Sequence, residues 1–558
     1  MISHSGPIAG IATYGEWVAT AGYDNRLILW STSNQKAVAM GMHDHLVNSC
    51  AFSHDGQYLI SASSDYSARI WSVPSMRLLT VLADHQDDVD MAAFSPNDQL
   101  VATCALDRVV RIYDRHGVCL QEFKGHTGNV LALAWTADGK KVISTSVDGT
   151  IRRWSIEEGT ELSRTDLQVR TDSLEISSSG VVYAGDDLGR IAIIKNGKTH
   201  FHSAHQAGIK KVVLDEGKSQ LICLSYDGWM SIWDIATETP VEISRSQLPE
   251  CIWARSAAVA GDGSIVAGTF GATYATYDLA KNAWDIADVH AGNAINAVHT
   301  TKGHVYTIGD AGELRQDGQL VQSMGSLCNF IVSCGEQIYT GGQLGELFNA
   351  LTAEVLYKHH SPLNCAAAYT DDGKPYLVLG TYTGELLVFE IKKNHVALIQ
   401  TLKAFENAVK GISIAQGQIF SVCANTRIAW HDLKTFEQLR FKNCAHEKIV
   451  NDCCMIDDDH FATISRDKTL KIWNGSGHES FESPHPNSIK CISISADRRQ
   501  LASGSYGGTV AVFNLDERRW TQFERPTMAG ISDITWDTKQ QSFIAASYDG
   551  NLYPIHGH

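Results

Sequence analysis

At 558 residues the chain is long enough for two or more domains, and its 44% apolar and 19% charged residues are ordinary for a globular protein. A net charge of −16 excludes a nucleic-acid or anionic-membrane binder driven by bulk electrostatics. No apolar run reaches the roughly 18 residues of a spanning helix, and MISHSGPIAGIATYGEW lacks the basic and apolar regions of a signal peptide, so a cytoplasmic protein without membrane insertion is expected.

From the N-terminus onward one pattern recurs. A His stands about four residues before a short apolar strand at His4, His43, His85, His126, His205, His359, His446 and His485. The clearest copy is GHTGNVLALAWTADGKKVISTSVDGTIRRW, residues 125–154, which reads as three strands joined by turns at Asp138-Gly139 and Asp148-Gly149. Weaker copies fill the double-length gaps, TDSLEISSSGVVYAGDDLGRIAII and CIWARSAAVAGDGSIVAGTFGATYATYDL, and others begin near Ala291, Ser326, Phe405 and Thr527. The period is about 40 residues, and fourteen copies result. Such a small sheet cannot bury both faces alone, so neighbouring copies must cover it.

Within the good copies an aromatic follows the turn Asp by six residues: Asp24/Trp30, Asp65/Trp71, Asp107/Tyr113, Asp148/Trp154, Asp227/Trp233 and Asp467/Trp473. A hydroxyl precedes that Asp by four residues at Thr20, Ser61, Thr103, Ser144 and Thr463, with Cys223 as the exception. Complete sets are His4–Thr20–Asp24–Trp30, His43–Ser61–Asp65–Trp71, His126–Ser144–Asp148–Trp154 and His446–Thr463–Asp467–Trp473. In each, a buried His can bridge the Asp and the hydroxyl while the indole N–H donates to that hydroxyl, leaving every polar group satisfied. A catalytic triad would be one such set in a cleft with an oxyanion site. A set repeated around a ring is a fold feature, so no catalytic residue is expected.

These offsets and this period resemble the WD-repeat family of β-propellers, over nearly the whole chain. The resemblance implies an all-β fold of two tandem seven-bladed β-propellers with four-stranded antiparallel blades, similar in architecture to actin-interacting double propellers. The first ring would span residues 1–289 and the second 290–558, with no Gly/Ser- or Pro-rich linker between them. The chain stops at a third strand in NLYPIHGH, so the last blade either has three strands or is closed by an exchange across the boundary. The terminal HGH is expected to be a frayed tail.

The family usually binds partners on the rim formed where second strands end. The residue before each turn Asp occupies that place: Tyr23, Tyr226 and Phe270 on neighbouring blades of the first ring, with Asp186 in the fifth copy, and Tyr382, Arg466, Tyr506 and Tyr548 in the second. Aromatics and Arg are enriched at interface hot spots, so these residues are expected to be exposed and to bind protein partners. The implied function is a non-enzymatic interaction scaffold without cofactor. One alternative is a propeller enzyme or metal-dependent binder using a channel or the edge pair His200/His202. Two His without a carboxylate or Cys pair are incomplete for structural zinc, so no metal is expected. The other is a modified-peptide reader, for which Arg466, Lys468 and Lys471 are the only basic hint. Cys50, Cys365, Cys453, Cys454 and Cys491 fall in first strands and Cys104, Cys223 and Cys423 in second strands, as buried structural thiols.

Overall fold

The computed structural model describes residues 2–237, 239–290, 292–392, 395–415, 417–424, 426–474 and 477–556. Consecutive strands form fourteen antiparallel sheets, thirteen of four strands and a last one of three, Ile531–Asp537, Ser542–Ser547 and Leu552–Ile555. The final blade is therefore three-stranded among the described residues. Gly557 and His558 of the expected frayed tail lie outside them, as does Ala291 at the start of the eighth copy.

The chain divides into two compact units, Met1–Gly292 and Asn293–His558. The sequence placed this division three residues earlier. The segment after Val289 is held in the first unit by Ala272 N donating to His290 O at 2.9 Å and Gly292 N to Phe270 O at 3.3 Å. In the first unit the inner strands follow one another from Ile8–Tyr14 through Val47–Phe52, Val89–Phe94, Val130–Trp135, Thr171–Ile176 and Ile209–Asp215 to Ile252–Val259, which packs back against Ile8–Tyr14. Thr13 Oγ1 donates to Val259 O at 2.6 Å across that closure. In the second unit the inner strands run from Ile295–Thr301 to Ile531–Asp537, and Val298 N donates to Asp533 Oδ2 at 2.9 Å where the ends meet.

Burial explains the sequence texture of each blade. Second strands such as Lys141–Ser146 are covered on both faces by adjacent blades and are buried almost throughout, so they read as runs of small and β-branched residues. Outer strands such as Thr160–Asp166 are exposed and polar. The core is divided into clusters between successive blades, for example Ala102, Ile112, Leu133, Trp135 and Trp154.

One irregularity recurs in every blade. The register between inner and second strand shifts near the start of the inner strand, as between Val47 and Ser49 or Val409 and Gly411. A bulge leaves one residue outside the ladder and re-aims its side chain. At five such positions an Asn uses that freedom to tie its blade to the next. Asn48 Nδ2 donates to Val89 O at 2.9 Å, Asn296 to Cys328 O at 3.1 Å, Asn329 to Leu363 O at 2.8 Å, Asn364 to Val409 O at 2.5 Å and Asn451 to Ile489 O at 2.6 Å.

Candidate functional site

The His sets are interior clamps. His126 Nδ1 lies 3.0 Å from Asp148 Oδ2 and Nε2 2.8 Å from Ser144 Oγ, and Trp154 Nε1 donates to Ser144 Oγ at 2.8 Å. The corresponding distances are 2.9, 2.7 and 2.7 Å for His4, Thr20, Asp24 and Trp30. They are 2.8, 2.7 and 2.8 Å for His43, Ser61, Asp65 and Trp71. For His446, Thr463, Asp467 and Trp473 they are 3.0, 2.8 and 2.7 Å. The network assigns the ring proton to Nδ1, facing the carboxylate. Burial pushes the Asp148 carboxyl up, but donation from His126 and Thr150 outweighs it and holds the group below the ordinary carboxylate range.

Three blades solve the same problem with other residues. Where Cys223 replaces the hydroxyl, Ser231 directly across the ladder supplies it: His205 Nε2 lies 2.7 Å from Ser231 Oγ, which accepts from Trp233 Nε1 at 2.8 Å. We expect Ser231→Ala to cost about 1–2 kcal/mol in a denaturant melt, as loss of a buried double partner does, while Cys223→Ala stays smaller. In the third blade Arg111 intervenes, its Nη1 2.6 Å from Asp107 and 3.0 Å from His85 Nδ1; burial first and then Arg111 push the His85 imidazole down to about 4. His485, whose blade has Gly in place of Asp, bonds Thr509 and Ser503 at 2.7 and 2.9 Å, and burial pushes it down to about 3.

The rim positions share one backbone contact, donation to the carbonyl at the entrance of the inner strand. Tyr23 N reaches Pro7 O at 2.9 Å, Tyr226 N Gly208 O at 3.1 Å and Phe270 N Cys251 O at 2.8 Å. Tyr382, Arg466, Tyr506 and Tyr548 do the same with Pro362, Ile449, Ser488 and Gly530 at 3.0, 3.0, 3.1 and 3.0 Å. In the fifth blade the residue making this contact is Asp187, to Arg170 O at 3.1 Å, and not Asp186. Asp186 is fully buried, with Oδ2 2.7 Å from Arg190 Nε.

Exposure on this rim corrects the sequence expectation. Phe270 is 5% exposed and Tyr506 6%, so neither is an open surface ring; Tyr23, Tyr226, Tyr382, Arg466 and Tyr548 are half-buried. The covering side chains come from the bulged starts of inner strands. Trp253, which sequence reasoning missed, meets Tyr23 edge to face at 5.2 Å and lies tilted against Phe270 at 5.6 Å, ring centre to ring centre. Lys210 Nζ sits 5.1 Å from the Tyr226 ring centre and Lys410 Nζ 5.8 Å from that of Tyr382. Arg466 lies 5.7 Å over Tyr506, the geometry of a cation–π contact. Trp229, the first residue of the strand Trp229–Asp234 that follows the Tyr226 turn, is 37% exposed and had no periodic signal to announce it.

The mouth of the first ring holds ion pairs among its own residues. Arg170 Nε bonds Asp172 Oδ1 at 2.6 Å, and Lys210 Nζ bonds Asp172 Oδ2 at 2.6 Å and also Asp187. Arg255, exposed, lies 5.6 Å over the Trp253 ring and within electrostatic reach of Arg170 and Asp172. The His200/His202 edge gains no third ligand among the described residues: His202 packs on Trp233 at 4.8 Å, and His205 is committed to its clamp. Among those residues the His/Glu group close enough to share an ion is instead His359, His360 and Glu385, with His359 Nε2 3.6 Å from Glu385 Oε2. Thr383 holds that carboxylate at 2.5 Å, in the place the turn Asp takes elsewhere. Lys468 is exposed in its turn, and Lys471 Nζ donates to Ala445 O at 2.8 Å. The eight cysteines placed in first or second strands all lie there, unpaired by disulfides.

Rings of antiparallel sheets clamped by buried His–Asp–hydroxyl sets define a β-propeller protein. The model of the family WD40, "WD domain, G-beta repeat", matches residues 38–72, 76–114, 117–155, 437–474 and 479–514. Five WD40 repeats thus lie within the β-propeller blades of the chain. It is 30% identical over 177 residues to autophagy-related protein 16 of Arabidopsis thaliana, covering 30% of this chain and 34% of that one. It is 27% identical over 181 residues to nuclear distribution protein PAC1-2 of Uncinocarpus reesii, covering 28% and 39%. Transcription initiation factor TFIID subunit 5 of Caenorhabditis elegans is 27% identical over 157 residues, 27% of this chain and 24% of that one. The chain thus spans well under two thirds of the length of these curated relatives. Among the described residues no helix is long and apolar enough to cross a membrane.

Proposed function

We propose that the chain is a non-enzymatic scaffold of two seven-bladed propellers, residues 1–292 and 293–558, that holds protein partners at the ring mouths. The observation carrying this reading is the use of chemistry-bearing side chains. The repeated His–Asp–Ser/Thr sets are spent on clamping blades, whereas the mouths gather aromatic rings with cations laid against them: Tyr23, Trp253, Phe270, Tyr226 and Lys210 in one ring, Tyr382, Lys410, Arg466, Tyr506 and Tyr548 in the other. Aromatic and Arg side chains held by packing bind with little ordering cost. The WD-repeat relatives named above, one a transcription-factor subunit, support a role in assemblies, and a cytoplasmic location is part of the same proposal.

The test pairs capture with stability. Tyr23→Ala/Tyr226→Ala and Tyr382→Ala/Tyr548→Ala are expected to leave melting within a few degrees, since all four rings are only half-buried. At least one pair is expected to lower retention of a co-purifying native partner tenfold or more, as loss of hot-spot rings does. Capture unchanged in both variants would move the binding surface away from the mouths.

A further inference from the structure

The blade that opens at His359 has kept its His and lost the three partners that a clamp needs. Tyr382 makes the rim contact of this blade, so Thr383 occupies the place of the turn Asp. Four residues earlier, where the hydroxyl belongs, stands Leu379, and six residues later stands Phe389, whose ring has no N–H to donate. The substitution made by Ser231 in another blade is closed here, because the residue across the ladder from Leu379 is Leu387. His359 is nonetheless only 9% exposed, and its backbone N is fixed to Gly345 O at 2.8 Å. Its Nε2 has no hydrogen bond among the described residues. Glu385 Oε2 stands 3.6 Å from it, beyond hydrogen-bond reach.

A second imidazole completes the group. The chain bends at His360, and the two His rings lie 4.1 Å apart, centre to centre. One nitrogen of each and one oxygen of Glu385 all lie within 4.8 Å of one another. Two imidazoles and a carboxylate are a zinc ligand set, and a tetrahedral ion with bonds of about 2.1 Å holds its ligands about 3.4 Å apart. The His359–Glu385 separation already meets that spacing, and the exposed His360 is free to close the rest. The surrounding bonds suit the same use. The Ser361 backbone serves either tautomer of His359: its N donates to Nδ1 at 3.2 Å, or Nδ1 donates to its O at 3.3 Å, the arrangement that frees Nε2 for a metal. Thr383 and Thr381 Oγ1 donate to Glu385 Oε2 at 2.5 and 3.3 Å and orient the carboxylate, while Oε1 accepts no hydrogen bond among the described residues. The Lys403 ammonium, whose charge reaches Glu385, donates to Thr383 O at 2.7 Å and makes no ion pair with the carboxylate among those residues.

We infer that His359, His360 and Glu385 bind one zinc ion, which pins the His359 turn to the strand Glu385–Lys392 in a blade that lacks the clamp. Three protein ligands leave a fourth position to water. The ion does for this blade what the His–Asp–hydroxyl set does for others. The inference goes beyond the scaffold reading and does not depend on it.

The full chain, untagged and stripped with a chelator, is titrated with zinc chloride, and separately with Co2+ as a spectroscopic probe. One equivalent is expected to bind, to give the visible absorption of a tetrahedral cobalt site, and to slow hydrogen exchange in the strand Glu385–Lys392. His360→Ala and Glu385→Gln are each expected to weaken affinity at least tenfold and to abolish the slowing. His200→Ala/His202→Ala and Cys444→Ser, at other accessible candidate ligands, are expected to leave both intact. Because His360 is exposed, its variant tests the site even where Glu385→Gln fails to fold. Absence of binding, a Co2+ spectrum unchanged from the free ion, or affinity undiminished in His360→Ala overturns the site. Neither result moves the capture test of the ring mouths, so the scaffold reading stands or falls separately.

Discussion

Asp148→Ala is expected to lower the stability of the first unit by about 2–3 kcal/mol, because several bonds to one buried carboxylate disappear together. Thr127 N and Thr150 N each donate to it at 2.9 Å, Thr150 Oγ1 at 2.6 Å and His126 Nδ1 at 3.0 Å. Its side chain is 6% exposed, so solvent does little to replace them. The sign of the pH dependence follows from the lowered carboxyl. The group's contribution is full above the unfolded-chain value of 3.8 and is lost as pH falls through the still lower folded value. The gap between wild type and variant, read from urea midpoints, therefore closes on acidification. A variant as stable as wild type near pH 7 would show that the clamp is not what pins this blade.

Asp310→Asn is expected to act in the opposite direction, stabilising the second unit near neutral pH. Burial pushes this carboxyl up to about 7, against a lowering bond from Asn296 Nδ2, which donates to Oδ1 at 2.9 Å; Oδ2 has no hydrogen-bond partner among the described residues. The folded chain thus holds a proton that the unfolded chain has lost. Its cost is absent below the unfolded value of 3.8, grows as pH rises toward about 7, and is constant above. Asn presents the same shape without the charge, so the variant should gain on the order of 2 kcal/mol near pH 8 and nothing near pH 4. Hydrogen exchange of the strand His304–Gly309 isolates the effect from the other unit. A variant destabilised at both pH values would mean that the carboxylate is needed ionised. Asp533 and Asp452, pushed up by burial to about 7 and about 6, add to the same fall in wild-type stability from acid to neutral pH.

The repeat, the antiparallel blades and the clamps were legible because each is local. A blade is complete within about 40 residues, and its His, hydroxyl, Asp and Trp stand at fixed offsets that a strand's two-residue period converts directly into contacts. Even where the motif breaks, as at Cys223, its place was readable, although the substitute Ser231 was not, since it sits across the ladder from the gap it fills. The mouths were not legible in the same way. Tyr23 and Phe270 looked like surface residues at strand ends, but Trp253 meets both rings, and Tyr23 is 230 positions from it in the chain. Lys410 and Lys490 carried no signal in the repeat, and each is the residue that the bulge of its inner strand leaves outside the ladder. The sequence by itself determined which residues make a blade, because those contacts repeat with the chain. Exposure and charge balance at the ring mouths were decided only by tertiary structure, because they depend on non-repeating side chains that ring closure brings together from different blades.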